Sequence, residues 1–147
     1  EFDPVHPERL ISEPKCLSRP LYGFENTEHT INNEGPYAFY YHNKIYLAYS
    51  GGDARGYLYA IGMLTANDGD DLCDLSVWEK AKTPIASFAT IPGEYGPGHN
   101  SFFWDRDQNL WIAYHAVTSF EEKIVSSGMR RVYFEQDKTP RFDVIVE

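Results

Sequence analysis

Hydrophobic and polar positions alternate along much of this chain with the period of two that marks half-buried strands. The pattern is clearest from Tyr37 to Tyr49, where the aromatic run YAFYY breaks at the polar triplet HNK and resumes as IYLAY. Two apolar runs joined by an Asn-containing turn predict a β-hairpin. The arrangement returns 65 residues later: Glu34 to Ser50 lies over His99 to His115 without a gap. Tyr37 then falls on Phe102, Phe39 on Trp104, and Ile45-Tyr46-Leu47 on Leu110-Trp111-Ile112. Between the copies, GYLYAIGMLTA reads as a further strand and LSVWEKA as a short helical turn or loop. A third hairpin is expected near the end, with strands Val132 to Phe134 and Phe142 to Val146 around the turn QDKTP. RLISEP near the start reads as an outer strand of an earlier unit.

Repeated strand–turn–strand units at this spacing predict an all-β protein built of β-propeller blades. A β-sandwich with coincidentally similar hairpins is the alternative. The chain supplies two to three blades, fewer than a closed ring needs. Residues 1–147 are therefore expected to be part of one propeller domain, with no separate second domain. Missing N-terminal blades, or other copies of the chain, would complete it.

The 147 residues are 42% hydrophobic and 16% aromatic, which permits a packed core and favours strands over helical bundles. A net charge of −9 argues against nucleic acid and against an anionic membrane surface as partners. Cys16 and Cys73 are expected to be buried or partly buried free thiols, since nothing in their spacing demands a disulfide. No stretch approaches the roughly 20 apolar residues of a spanning helix. No secretory leader is visible, and the compartment is left open.

The candidate chemistry sits where the hairpins begin. Glu34 stands at the mouth of the first, before Gly35 and Pro36, which cannot continue a helix. It is either a solvated turn carboxylate or a group held in a site. The repeat places His99 at the matching entry, so two blades aim an ionisable residue at a common axis. A carboxylic acid there can protonate a leaving group, and a neutral imidazole can accept a hydrogen bond or meet a metal. The alternative for His99, and for His115 at a strand end, is a histidine satisfied structurally. ANDGDDLCD is rich in oxygen, but Leu72 and Cys73 occupy places where an EF-hand needs an oxygen ligand and Gly, so it reads as a solvated loop. Phosphate-loop and G-x-S-x-G motifs are absent. Arg130 and Arg131 are adjacent on a strand, so one of them must face outward.

The segments NNEGPYAFYYHNKIYLAYS, YAIGMLTA, YGPGHNSFFWDRDQNLWIAYHA and FEQDKTPRFDVIV resemble glycoside hydrolase family 43, as does ISEPKCLSRPLYGFEN upstream. The resemblance implies the C-terminal half of a five-bladed β-propeller enzyme acting on arabinose- or xylose-containing polysaccharides. An α-L-arabinofuranosidase is favoured over a β-xylosidase. The alternative is a non-catalytic carbohydrate-binding propeller or a degenerate homologue. By resemblance, Glu34 in NEGP is the general acid. His99 in GPGHNSF is a channel histidine that can contact a calcium ion through water, and no other cofactor is implied. Asn100 and either Arg130 or Arg131 fall where substrate contacts are expected. The family inverts configuration, which puts acid and base roughly 6.5–9.5 Å apart. Its general base and a second Asp lie well upstream of the acid. Asp3, the only Asp before Glu34, lies in no matching motif, so this chain is expected to lack the base and to be inactive alone.

Overall fold

The computed structural model describes residues 1–119, 121–122 and 124–143. Among the described residues, eleven strands form two blade-like sheets and two small ribbons. The strands β1 (Asn26–Thr27) and β2 (Thr30–Ile31) make a short hairpin ahead of the first blade. That blade is an antiparallel meander of β3 (Asn33–Tyr41), β4 (Lys44–Gly51), β5 (Ala60–Asn67) and β6 (Glu79–Lys80). The second runs β7 (Tyr95–Trp104), β8 (Leu110–Ser119) and β9 (Ile124–Arg131). A ribbon of β10 (Tyr133–Phe134) and β11 (Pro140–Arg141) follows.

The expected hairpins form, and each turn has a local cause. His42 and Asn43 both take positive φ, at 46° and 62°, the two-residue turn whose twist suits a hairpin. In the second hairpin the loop spans 105–109 and is organised by Asp105. Its carboxylate accepts bonds from the Asn109 backbone and side chain and from the Trp111 indole, 2.7–3.0 Å away. Those bonds, the indole's first among them, hold the Asp105 carboxyl down at about 2.

Each sheet has two faces, and one face of each meets the other sheet. Phe39, Tyr46, Ala48, Ile61 and Met63 from the first blade pack on Phe102, Leu110, Ile112 and Tyr114 from the second. The Phe39 ring lies 4.5 Å from that of Phe102 and 4.8 Å from that of Tyr46. The outer faces stay partly open: Phe103 is 41% exposed and Met129 61%.

Three expectations change. The third hairpin forms as the β10–β11 ribbon with a shifted second strand: Phe134 stacks on Tyr41 at 3.7 Å, and Tyr46 donates to the Lys138 carbonyl, so the ribbon clasps the end of the interblade core. Its second strand covers Pro140–Arg141, and the part of the expected strand beyond Asp143 lies outside the described residues. RLISEP is not a strand; Leu10 makes only an isolated bridge to Phe2. Cys16 is exposed rather than buried, while Cys73 is half-buried, and both are free. LSVWEKA contains a 3-10 turn at Leu75–Val77, and the acidic loop before it spends Asp70, Asp71 and Asp74 on capping its own backbone.

Candidate active site at the strand entries

Both blades carry a β-bulge near the start of the inner strand. Glu34 pairs with Ser50 and Tyr37 with Ala48, which leaves Gly35 and Pro36 together opposite Tyr49. Gly98 pairs with His115 and Ser101 with Ala113, which leaves His99 and Asn100 opposite Tyr114. The first residue of each bulge is left-handed: Gly35 at φ 55° and His99 at φ 50°. The ladders therefore equate His99 with Gly35 and Gly98 with Glu34. That is one residue off the gap-free match of the sequences, because the longer loop at 105–109 takes up the difference.

The shift still brings the predicted residues together. The His99 ring covers Gly35, where a β-carbon would stand 3.3 Å from Nδ1. The His99 N–H donates to Ser50 Oγ at 2.7 Å, tying the second blade's bulge to the residue opposite Glu34. Glu34 is half-buried, and its Oε1 accepts from the Tyr59 hydroxyl at 2.8 Å. Tyr59 itself is wholly buried. Burial, and the Glu34 carboxylate beside it, push the Tyr59 phenol far above its ordinary value against a counteracting bond from Ser50, so it stays a donor. The His115 ring stacks on Tyr59 at 5.6 Å and lies 6.5 Å from the His99 ring. Burial, aided by His99, holds His115 below its ordinary value against the pull of the Ala54 backbone and Glu34. It is a neutral imidazole near pH 7.

Glu34 borders a cleft of about 340 Å³, whose other walls include Ser18, Asn33, Pro36 and Leu47. A carboxyl group anchored through one oxygen at the edge of an open cleft is suited to delivering a proton. Asn100 lies next to His99 but is only 4% exposed, and neither end of its amide has a partner among the described residues. Arg130 is committed elsewhere. It donates to Glu94 at 3.1 Å and to Tyr114 Oη at 3.0 Å, while Tyr114 donates to Glu94 at 2.5 Å. Arg131 lies over the Tyr133 ring. Neither arginine reaches Glu34 or His99 through these contacts. Among the described residues, no three His, Cys, Asp or Glu side chains are grouped to hold a metal ion. They do not form a coordination sphere by themselves, and His99 offers at most one nitrogen to an ion's bound water.

Sequence reading missed Tyr59, Ser50 and Glu94. Tyr59 sat inside an alternating run that announced only a strand, and Glu94 lay between Gly and Tyr in a loop without a motif. The signal for the second cluster is its echo in the first blade. Tyr49, equivalent to Tyr114, donates to buried Glu25 at 2.8 Å, and Lys80 bonds the same carboxylate at 2.5 Å. A Tyr on the second strand, a Glu from the entry loop and a cation from an outer strand recur in both blades.

Several known proteins are similar to this chain. An extracellular exo-alpha-(1->5)-L-arabinofuranosidase of Streptomyces chartreusis is 38% identical over 113 residues, covering 76% of this chain and 34% of the relative. One of the same name from Streptomyces avermitilis is 29% identical and covers 97% of this chain and 31% of the relative. The chain thus spans about a third of the length of the curated relatives it matches. Among solved structures, an alpha-L-arabinofuranosidase from Lactobacillus brevis superposes with a TM-score of 0.79 at 29% identity, over 90% of this chain and 43% of that one. A thermostable family-43 glycoside hydrolase gives 0.73 at 27% identity, over 92% and 43%. These neighbours bear out the all-β propeller-blade fold. The description of glycosyl hydrolases family 43 matches residues 7–140, and the chain belongs to that family.

Proposed function

We propose that this chain is the C-terminal part of a propeller domain that hydrolyses α-L-arabinofuranosyl linkages by inversion, with Glu34 as general acid. The observation that carries the reading is the Glu34 carboxyl at the inner-strand bulge, anchored through Oε1 by Tyr59 and bordering an open cleft, with the His99 ring over the neighbouring Gly35. In the reaction, Glu34 gives its proton to the glycosidic oxygen as the bond to the anomeric carbon breaks. Water adds to that carbon from the opposite face and loses its proton to a carboxylate base. An Asp from upstream blades, in the same polypeptide or a second chain, supplies that base. The arabinose preference leans on the names of the similar proteins.

The remaining site residues differ in what they can offer. Asn100 has an unpaired amide for a sugar hydroxyl or an ordered water. Arg130 would have to release Glu94 to reach a sugar. A calcium ion near His99 would be met through water, and no step above passes through it. The names of two relatives call them extracellular, and an extracellular site of action is part of this proposal. Among the described residues, no helix is long and apolar enough to cross a membrane.

The direct test is hydrolysis of aryl α-L-arabinofuranoside and aryl β-xyloside by the full-length protein, with the anomer released followed by proton NMR. Release of β-arabinose first, faster than xylose, is the expected outcome. Release of α-arabinose first contradicts inversion, and no release from either substrate turns the reading to a carbohydrate-binding propeller.

A further inference from the structure

We infer that Tyr59 is a positioning residue that fixes which oxygen of Glu34 carries the transferable proton. This rests on the reading of Glu34 as the acid. The phenol has one proton, and it points at Glu34 Oε1 over 2.8 Å. The single phenol proton of Tyr59 is thus spent on Glu34. Ser50 is fully buried, pairs with Glu34 across the ladder, and accepts the His99 N–H at 2.7 Å. The second blade's His99 amide is thus tied to the residue that pairs with Glu34, while Tyr59 holds the carboxyl itself. Oε1 is then an acceptor whether or not Glu34 is ionised, and the proton belongs on Oε2.

The Tyr59 ring cannot swing away, because it is fully buried against Gly98 and stacked on His115. The packing of the two blades thus sets the aim of the acid. Tyr59 does not touch the reacting atoms in this account; it acts through Glu34.

The test uses the full-length protein with two arabinosides, one with a nitrophenol leaving group and one with an alcohol or sugar. Tyr59→Phe should lower kcat on the poor leaving group by about 10-fold, the loss of one hydrogen bond to a charged group. KM, and kcat on the nitrophenyl substrate, should hold. In a Glu34→Gln background the same change should cost nothing more, as expected of two residues acting as one unit. If Tyr59→Phe does not fold, fluorotyrosine at residue 59 keeps the ring and changes only the donor, and it should shift kcat on the poor leaving group without changing KM. Equal losses on both substrates, additive losses in the double variant, or no loss would overturn the role of Tyr59. If Glu34→Gln itself slows both substrates equally, the acid assignment fails instead, and the two failures are told apart.

Discussion

The ring of Tyr59 lies on the backbone of Gly98, so close that a β-carbon at residue 98 would stand 1.9 Å from Tyr59 Cε1. Gly98 is paired with His115, and the same contact lets His115 stack on the ring. Only a residue without a side chain lets the second blade's inner strand approach the first blade this closely. Gly98→Ala should therefore force a shift in a wholly buried ring and cost about 1–3 kcal/mol. Urea unfolding of the full-length protein reads this as a lower midpoint with an unchanged slope. An unchanged midpoint would mean that the ring has room the structure does not provide.

Glu25 is fully buried, and its stability contribution should depend on pH. Burial opposes its charge, but Lys80, the backbone N–H groups of Tyr22 and Leu21, and Tyr49 outweigh burial and draw its pKa below the ordinary value of 4.5. A carboxyl depressed on folding stabilises fully above its unfolded pKa, and the benefit fades as pH falls through the folded one. Stability of the native protein should thus decline below about pH 4.5, the ordinary range for glutamate. Glu25→Gln should flatten that decline. At neutral pH it should cost about 3–5 kcal/mol, because Lys80 loses its buried partner. A decline of the same steepness in the variant would remove Glu25 from the account.

Arg130 bonds Glu94 and Tyr114 within its own blade. Arg130→Met should lower stability by about 1–3 kcal/mol, the cost of leaving those polar groups unpaired, while KM for an arabinoside stays near that of the native enzyme. Thermal unfolding and steady-state kinetics on one preparation separate the two effects. A raised KM with undiminished stability would give Arg130 back to the sugar.

The two blades present open faces, with Phe103 and Met129 among the exposed apolar side chains. Residues 1–147 produced alone should self-associate, as uncovered apolar surface of this kind does, and should release no arabinose. Light scattering and the aryl-arabinoside assay check this together. A monodisperse, active preparation would contradict both the open faces and the need for an upstream base.

Hairpins were legible in the chain because alternation and turn chemistry act over a few residues. Their register was not. A bulge opposite Tyr49 and a five-residue loop closed by Asp105 each change the count by one, and neither alters the apolar pattern. Glu34 and His99 could be singled out because each opens a hairpin beside Gly and Pro. Tyr59 could not, since its partner Glu34 lies 25 residues away and meets it only when the first sheet forms, and Gly98 only when the blades dock. The third hairpin was legible too, but its second strand, Pro140–Arg141, begins before the expected Phe142, because pairing with Tyr133 and Phe134 and not the apolar run sets its place.

The central claim is that Glu34 delivers the proton to the leaving group. The most direct measurement compares Glu34→Gln with the native full-length protein on a nitrophenyl arabinoside and on an arabino-oligosaccharide. Removing a general acid should slow the oligosaccharide by about 100-fold to 10,000-fold and leave the nitrophenyl substrate, which needs little protonation, much less affected. Equal slowing of both, or slowing of neither, would contradict the assignment of Glu34 as the acid.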